Sequence, residues 1–425
     1  MDNIYYIVTL SGLFLLTFVY ILKKDILFGG IYFFLFVYVI FTAIGYNYFP
    51  EISAFIKADF GPEIFPKFMI FVILSFFTLF LVFFFFFDKV NRSSKYRVIN
   101  NSTNKKRFFF LLILIFHLLI QILFFSINYD ELNYSNFSDE DFQSEKGISI
   151  TIFGICFKQS VSIIIISYIY LRLSKLEDFS KYKKFNKILM FFAISEVVLF
   201  LLIATKVGNR TDILAVMISI FIFEYQYIKI ESQKIDFNKI IKLILFVFFV
   251  LYGLSLLSEA RTEQPDRLLY EKFLLQDYYA PAHILLGAIA YDFISPLEVI
   301  YSNTANALIK IGYPYLQTTV ADLFNPGAST RSASYAFYLF SEGYLFMGFF
   351  GFIYNGITVF LGISLWKKLT LSQNVYYNLF MISIVAQRMV TCCRSQSSYF
   401  VKDLYYFFIP AIFFIYLISG LRPKL

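Results

Sequence analysis

The sequence predicts an all-α, polytopic membrane protein. Hydrophobic residues make up 59% of the 425-residue chain, whereas charged residues make up only 16%. Apolar runs of about 17 to 25 residues recur along it, which is the length that crosses a bilayer as a helix. Basic residues cluster in the short loops between these runs, so the net charge of +8 indicates membrane orientation and not nucleic-acid binding. This composition excludes a soluble domain.

About eleven apolar runs are long enough to be membrane helices, within a range of roughly ten to twelve. We expect them to form a single integral membrane domain over residues 1–425. The first run is followed directly by two lysines and by another apolar run, without a cleavage site, which indicates a retained helix and not a signal peptide. The runs are 4–22, 28–46, 68–87, 108–127, 148–171, 188–205, 213–228, 241–257, 344–365, 375–389 and 404–419.

Alternate loops differ in charge, and this difference predicts how the helices are oriented. The basic loops, from Lys23 and Lys24 to the tail at 422–425, are assigned to the cytoplasm because lysine and arginine accumulate on that side. The acidic loop at 130–145, the turn at 206–212 and the long stretch at 258–337 are assigned to the outside. The amino terminus is therefore expected outside and the carboxy terminus in the cytoplasm.

The stretch 258–337 is predicted to be one large extracytoplasmic loop between the eighth and ninth membrane helices. Its apolar and aromatic segments are unlike a solvated linker. The run 283–294 is too short to span, so we expect an interfacial or re-entrant helix that lies on the membrane. The spacing of prolines predicts short helices in the loop, and these prolines are Pro265, Pro281, Pro296, Pro314 and Pro326.

Basic residues at the predicted outer face are unusual, because arginine normally accumulates inside. A guanidinium group is a planar, permanently charged fork that suits phosphate oxygens, and beside a bilayer the expected anion is a lipid-borne phosphate or pyrophosphate. For any single residue of this group, a salt bridge to an acidic loop is equally expected. The prediction of an anion site therefore depends on the number of basic residues at the outer face. They are Lys206, Arg210, Arg261, Arg267, Arg331, Arg388, Arg394 and Lys402.

Ionisable residues also lie in the middle of predicted membrane helices, where an isolated charge is costly. Lys158 and Glu196 lie at similar depths on the fifth and sixth helices, so we expect both to face the bundle interior, where they are placed to pair. His117 and Gln121 lie one turn apart on the fourth helix. A histidine in this position is more commonly an interhelix contact than a proton relay.

Carboxylates near the outer face are candidates for proton transfer. Glu342 begins the ninth helix, ahead of a glycine-containing stretch at 348–356 that predicts close helix packing. It can exchange a proton with a sugar hydroxyl, or it can neutralise a nearby arginine such as Arg331. Asp266 in the long loop is a further candidate of the same kind. The 3 cysteines and 2 histidines show no metal-ligand spacing, and neither a metal nor a cofactor is expected.

Three local features, taken with this layout, carry a resemblance to a known family. Residues 208–214 contain Arg210 four positions before a leucine at a helix start, Arg261 follows the eighth helix, and polar residues at 330–332 lead through Glu342 into the glycine-containing helix. The chain thus resembles the O-antigen polymerase (Wzy-type) family, whose relatives are the O-antigen ligases and which is similar to the C class of membrane glycosyltransferases. A ligase would carry a histidine near Arg331, so the polymerase is favoured.

The resemblance implies an enzyme of the bacterial inner membrane that joins undecaprenyl-pyrophosphate-linked oligosaccharide repeat units into O-antigen or capsular polysaccharide. The acceptor hydroxyl would attack the anomeric carbon of the donor, and the lipid pyrophosphate would leave. A chain-length regulator protein is a further implied partner. The implied catalytic residues are Arg210, Arg261, Arg331, Glu342 and Asp266. The implied substrate-binding residues are Lys206, Asn209, Arg267, His283, Arg388, Arg394 and Lys402.

Several different classes of membrane protein also agree with the sequence. A flippase or other transporter of lipid-linked oligosaccharides is expected to show internal repeats and short, similar loops, whereas this chain shows no repeat and one long loop. A C-class transferase that uses a polyprenyl-monophosphate sugar usually has paired acidic residues in its first outer loop, where this chain offers Glu51, Asp59 and Glu63. An O-antigen ligase and a purely structural membrane protein stay open as well.

Overall fold

The computed structural model describes the greater part of the membrane helices and part of the long loop. The described residues are 3–87, 102–132, 147–174, 183–207, 210–232, 281–291, 295–308, 316–324, 326, 338–370, 383, 385, 388–389, 397–403 and 407–419. All of the regular secondary structure in these ranges is helical. The predicted membrane helix at 241–257 and most of the one at 375–389 lie outside the described residues.

The helices follow the chain in three groups. The amino-terminal group is α1 (Asn3–Lys24), α2 (Ile26–Tyr48), α3 (Pro50–Phe60) and α4 (Ile64–Phe86). The middle group is α5 (Asn104–Ile127), α6 (Ile148–Leu173), α7 (Lys183–Val207) and α8 (Arg210–Ser232). The remaining described helices are α9 (Pro281–Tyr291), α10 (Pro296–Leu308), α11 (Leu316–Phe324), α12 (Leu339–Met347), α13 (Gly351–Thr370), α14 (Ser397–Asp403) and α15 (Ile409–Ser419).

Seven helical stretches within the described ranges are long and apolar enough to cross a membrane. The chain is therefore a helical, multi-pass membrane protein, as predicted. The predicted runs at 213–228 and 404–419 form helices whose apolar parts, Ala215–Tyr225 and Ile409–Ile418, are shorter than these spans. The total of about eleven membrane helices stays a prediction. The seven stretches are Ile4–Lys24, Leu27–Tyr48, Ile64–Phe86, Asn104–Ile127, Ile148–Leu173, Lys183–Val207 and Leu339–Lys367.

The long loop contains short helices, as its prolines predicted. Pro281 and Pro296 are the first residues of α9 and α10, a position that proline favours because its missing N–H would have no partner there. The short helix α3 was not predicted, although it also begins with a proline, Pro50. Its residues are too polar for a membrane run, and a single turn signal does not distinguish a short helix from a loop.

Of the two alternatives expected for the run 283–294, an interfacial or a re-entrant helix, the structure of α9 disagrees with the interfacial one. Its residues from Ala282 to Ile289 are all buried, because α9 packs among α2, α3, α4, α11 and α12. The sequence of α9 is apolar on every side, which is typical of a helix enclosed by protein. A surface helix would need a polar face. The loop therefore folds back between membrane helices at this point.

The chain divides into two compact units made of alternating segments. Unit 1 comprises Met1–Asn91, Gln264–Lys368 and Arg388–Lys402, and unit 2 comprises Arg92–Glu263, Leu369–Gln387 and Asp403–Leu425. In unit 2, helix α6 is central and contacts α5, α7, α8 and α15. The buried isoleucines at positions 163–166 of α6 form the middle of this core.

Within each unit, helix ends that the charge pattern assigns to one side contact one another. In unit 1, Trp366 Nε1 near the end of α13 donates to Asp25 Oδ2 between α1 and α2, at 3.0 Å. In unit 2, Arg172 Nε of α6 lies 3.0 Å from Glu224 Oε1 of α8. Each of these contacts joins predicted cytoplasmic ends. These two contacts agree with the predicted alternation at the helix ends that they join, whereas the alternation as a whole and the absolute orientation stay predictions.

Glycines allow the sharp break between α12 and α13. Gly348 has φ +58°, a left-handed conformation that favours glycine. A side chain on Gly351 would collide with the backbone of Gly343 across the break, and a Cβ on Gly356 would lie 2.5 Å from the Thr78 side chain of α4. The close-packing face predicted for this stretch is therefore present at Gly351 and Gly356.

Candidate functional site

Glu342 is the predicted site residue whose surroundings are described most fully. It lies in the first turn of α12, where the partial positive charge of a helix amino terminus favours a carboxylate. The side chain is completely buried, and all residues of α12 from Leu339 to Leu345 are buried with it. A carboxylate in such a place is stable only when hydrogen bonds replace the water that it has lost.

Four hydrogen bonds supply this replacement, and every donor among the described residues is neutral. Oε1 accepts from Asn303 Nδ2 at 2.8 Å, from Tyr354 OH at 2.6 Å and from Ser397 Oγ at 2.6 Å. Oε2 accepts from the backbone N–H of Ser397 at 2.7 Å. Four donors therefore converge on the two oxygens, and both oxygens accept hydrogen bonds. We call Glu342, Asn303, Tyr354 and Ser397 the Glu342 cluster.

The Glu342 cluster joins separate segments of unit 1. Asn303 belongs to α10 of the long loop, Tyr354 to α13, and Ser397 is the first residue of α14. Hydrogen bonds to a buried charged group stabilise a fold by about 1.5 to 3 kcal/mol each. The cluster therefore fixes the loop and the segment after residue 388 to the start of α12. In the described conformation a substrate hydroxyl reaches Glu342 only if these donors move.

Arg388, a predicted substrate-binding residue, belongs to the same unit and is also buried, with 5% of its surface exposed. Burial distinguishes Arg388 from an ordinary topology-determining arginine, which keeps its guanidinium group in water. Lys402 lies near the end of α14 and is partly buried. Both residues lie in the segment that the Glu342 cluster ties to α12 through Ser397.

His283, a further predicted substrate-binding residue, lies inside unit 1. It belongs to the enclosed helix α9, has 3% of its surface exposed, and its ring meets that of Phe60 edge to face at 5.8 Å between centroids. The side chain is thus part of the packing between α9 and α3. A substrate does not reach it in the described conformation.

The turn at 206–212 is shorter than the sequence suggested, because helices extend into it from both sides. Helix α7 continues to Val207 and α8 begins at Arg210. Lys206 Nζ lies 4.3 Å from the ring centroid of Tyr129, which follows α5, a cation–π contact that holds the ends of α5 and α7 together. Arg210 occupies the first position of α8, and Asn209 lies outside the described residues.

The other predicted site residues fall outside the part of the chain that the structure describes, and their roles stay predictions. These residues are Arg261, Asp266, Arg267, Arg331 and Arg394. The structure therefore places the predicted site residues His283, Glu342, Arg388 and Lys402 in one unit and leaves the arginine cluster as a hypothesis from the sequence.

A second polar cluster lies in the middle of unit 2. Glu196 of α7 is completely buried; its Oε1 accepts from Gln121 Nε2 at 3.1 Å and lies 3.3 Å from His117 Nδ1, both on α5. His117 Nε2 donates to the carbonyl oxygen of Cys156 on α6 at 2.8 Å. The expected interhelix contact of His117 is therefore confirmed, and the burial of Glu196 is confirmed with it.

The expectation that Lys158 faces the interior and pairs with Glu196 is wrong. Lys158 is exposed, and the ionisable partner of Glu196 among the described residues is His117. The reason is helical periodicity. Ile152, Ile155 and Lys158 recur every three residues along one exposed stripe of α6, whereas Phe157 and Ser160 face inward.

Sequence reasoning missed the neutral members of both clusters. Asn303, Tyr354 and Ser397 carry no charge and lie far apart in the chain, so nothing in their spacing connects them with Glu342. For Glu196 a signal existed, because the pair His117 and Gln121 lies at a similar depth and offers donors. The preference for an opposite charge directed attention to Lys158 instead.

The two clusters, one at the start of α12 and one in the middle of unit 2, are thus defined by geometry alone. No protein-family model matches the chain, and no similar protein is found among curated proteins or solved structures.

Proposed function

We propose that the chain is a membrane glycosyltransferase that joins undecaprenyl-pyrophosphate-linked oligosaccharide repeat units into a polysaccharide on the outer face of the bacterial inner membrane. The observation that carries the proposal is the way in which the long loop folds back among the membrane helices. Helix α9 is enclosed by them, and Asn303 of α10 is bonded to Glu342. A loop fixed in this way can cover the sugars of a substrate whose lipid stays in the membrane.

The reaction requires a group that holds the leaving pyrophosphate as its negative charge develops. Arg210, Arg261 and Arg331 are assigned to this role, with Arg388 and Arg394 as further candidates, because guanidinium groups bind phosphate oxygens in a two-pronged manner. The burial of Arg388 supports such a role, since electrostatic stabilisation is strongest where water is excluded.

Glu342 is assigned a positioning role in this proposal. Both of its oxygens are already bonded to neutral donors, so its carboxylate holds α10 and α14 in place beside α12. Removal of the proton from the acceptor hydroxyl then falls to Asp266, the other predicted candidate. A general base must lie within hydrogen-bond reach of the proton that it removes.

The lipid tail of the substrate needs an apolar groove between membrane helices. Unit 2 contains one between α5 and α7, with a volume of about 490 Å³. Its lining is aliphatic and aromatic apart from Ser195, and includes Leu118, Ile122, Phe191 and Leu202. A polyprenyl chain fits this chemistry, because it offers only hydrocarbon to its surroundings.

The proposal is tested by Arg210→Ala in the native host. Loss of a cation that stabilises the leaving pyrophosphate is expected to lower chain extension by at least about 100-fold. A gel should therefore show single repeat units in place of the ladder of longer polysaccharide chains. Arg97→Ala, which removes an arginine on the predicted cytoplasmic side, is the matched control and should leave the ladder unchanged. Full-length polymer from folded Arg210→Ala protein would refute the role of Arg210.

A transporter of lipid-linked oligosaccharides is the second candidate, and the buried pair of His117 and Glu196 favours it. Ionisable residues inside a membrane commonly mark proton-coupled transport pathways. In sealed vesicles that contain the purified protein and undecaprenyl-pyrophosphate oligosaccharide, movement of the oligosaccharide across the bilayer without chain growth would favour the transporter. Chain growth would favour the transferase.

A further inference from the structure

The His117–Glu196 cluster has no part in the proposed transferase reaction. The cluster consists of His117, Gln121, Cys156, Ser160 and Glu196, contributed by α5, α6 and α7. Gln121, Ser160 and Glu196 are completely buried, and His117 is 7% exposed. The three helices are membrane-spanning candidates, and their middle residues meet here. Burial of an ionisable pair inside the membrane costs free energy. The size of this cost depends on the protonation state of the pair.

The hydrogen bonds of the cluster determine part of its protonation state. The carbonyl oxygen of Cys156 can only accept, so the Nε2 atom of His117, 2.8 Å away, carries a hydrogen. The Nδ1 atom lies 3.0 Å from Gln121 Nε2 and 3.3 Å from Glu196 Oε1. Ser160 Oγ donates to Gln121 Oε1 at 3.2 Å, which turns the amide nitrogen of Gln121 towards the histidine and the glutamate.

One carboxylate oxygen of Glu196 takes no part in the hydrogen bonds described above. Oε2 has no hydrogen-bond partner among the described residues, although the side chain is completely buried. If His117 is neutral and Glu196 is ionised, the cluster carries a net negative charge in a low-dielectric interior, which costs several kcal/mol. One added proton removes the net charge, either on Glu196 Oε2 or on His117 Nδ1. In the second case the amide of Gln121 must release its hydrogen bond to Nδ1, so that Nδ1–H donates to Glu196 Oε1.

Other charged groups on the surrounding helices are engaged elsewhere or exposed. On α6, Lys158 is exposed and Arg172 binds Glu224 of α8. On α7, Lys183, Lys184 and Lys187 are exposed, and Lys206 lies on the ring of Tyr129. The described part of α15 contains no acidic or basic residue. On α5, the basic residues are at the start of the helix, well over two turns before His117. Among the described residues, the thiol of Cys156, whose carbonyl oxygen accepts from His117, is a further titratable group beside the cluster.

We propose that His117 and Glu196 form a proton-binding site in the interior of the membrane, which holds one shared proton between them at neutral pH. The proton binds to a nitrogen or an oxygen lone pair, and no other co-reactant is needed. Removal of either partner is expected to change the protonation of the other. Without His117, Glu196 should become a neutral carboxylic acid; without Glu196, His117 should become neutral.

The test uses the full-length protein in lipid nanodiscs at pH 7. Histidine labelled with ¹⁵N gives signals from only 2 residues, His117 and His283, and His283→Gln identifies those of His117. Infrared difference spectra report the C=O band of a protonated Glu196, assigned by its loss in Glu196→Gln. The wild type should show an imidazolium at His117 or a protonated Glu196, with the two fractions adding to about one proton.

Two variants test whether the protonation of each partner depends on the other. His117→Gln should produce a C=O band that disappears in the double variant with Glu196→Gln, and Glu196→Gln alone should abolish any imidazolium signal. A wild-type protein with a neutral His117 and an ionised Glu196 at pH 7 would overturn the proposal, even if neither variant folds. Chain extension by the wild type is a separate measurement, so failure of the proton site leaves the proposed transferase function intact.

Discussion

The buried carboxylate of Glu342 determines how several neighbouring helices are placed beside α12. Its partners come from α10, α13 and α14, so one side chain links three further helices to α12. The notion that Glu342 neutralises an arginine is not needed to explain its burial, because four neutral donors already satisfy it. Its first effect is therefore on the placement of the loop.

Glu342→Gln is expected to destabilise unit 1. The new amide group offers a donor where the partners are also donors, so at least one buried hydrogen bond is lost, at a cost of about 1 to 3 kcal/mol. The thermal midpoint of the purified protein in detergent should fall accordingly. Glu63→Gln is the matched control, because Glu63 is exposed and makes no side-chain cap bond to α4. An equal midpoint for both variants would mean that the Glu342 cluster contributes nothing to stability.

Lys158 and Glu196 show that the sequence does not predict which face of a membrane helix is buried. Both lie within membrane-spanning candidates, as predicted. Depth does not determine which face of a helix a residue occupies, and one position along α6 separates the buried Phe157 from the exposed Lys158. The hydrophobic pattern of a membrane helix does not report its inward face, because lipid and protein core are equally apolar.

Among the helices, long apolar runs and the short helices of the long loop were predicted, whereas the short helix α3 was not. The spans α1, α2 and α4 to α7 follow from length and hydropathy, which require no knowledge of the fold. The enclosed position of α9 does not follow in the same way. Its run was recognised as too short to span, but the sequence does not reveal that neighbouring helices surround it.

Gly351→Ala is the test of the break between α12 and α13. A methyl group there meets the Gly343 carbonyl of the preceding helix, and overpacking of this kind costs about 1 to 3 kcal/mol. The thermal midpoint should therefore fall. Gly12→Ala, in an open position on α1 of the same unit, should raise stability by about 0.5 to 1 kcal/mol through helix propensity. A rise in both variants would contradict the described packing of α12 on α13.

At the scale of the whole molecule, the alternation of charged loops is the strongest prediction that the sequence makes. Contacts such as Trp366 to Asp25 and Lys206 to Tyr129 agree with it within each unit. The absolute orientation depends on the positive-inside rule alone. The proposed arginine site at the outer face depends on this orientation, because the proposed transfer takes place outside the inner membrane.

Orientation is tested by labelling single cysteines with a membrane-impermeant maleimide. The background carries serine at Cys156, Cys392 and Cys393. Ser138→Cys in the acidic loop should be labelled in intact spheroplasts, because the loop is predicted outside. Ser94→Cys in a basic loop should be labelled only after permeabilisation. The reverse pattern would place the basic residues of the proposed site at the cytoplasmic face and remove the basis for an external pyrophosphate site.

The most direct test of the proposed function is reconstitution of the purified protein in lipid nanodiscs with undecaprenyl-pyrophosphate-linked repeat units as the only added substrate. The account predicts a ladder of longer glycans and the release of undecaprenyl pyrophosphate in step with each added unit, with both products lost in Arg210→Ala and retained in Arg97→Ala. Intact repeat units after prolonged incubation of folded wild-type protein, with no release of the lipid pyrophosphate, would contradict it.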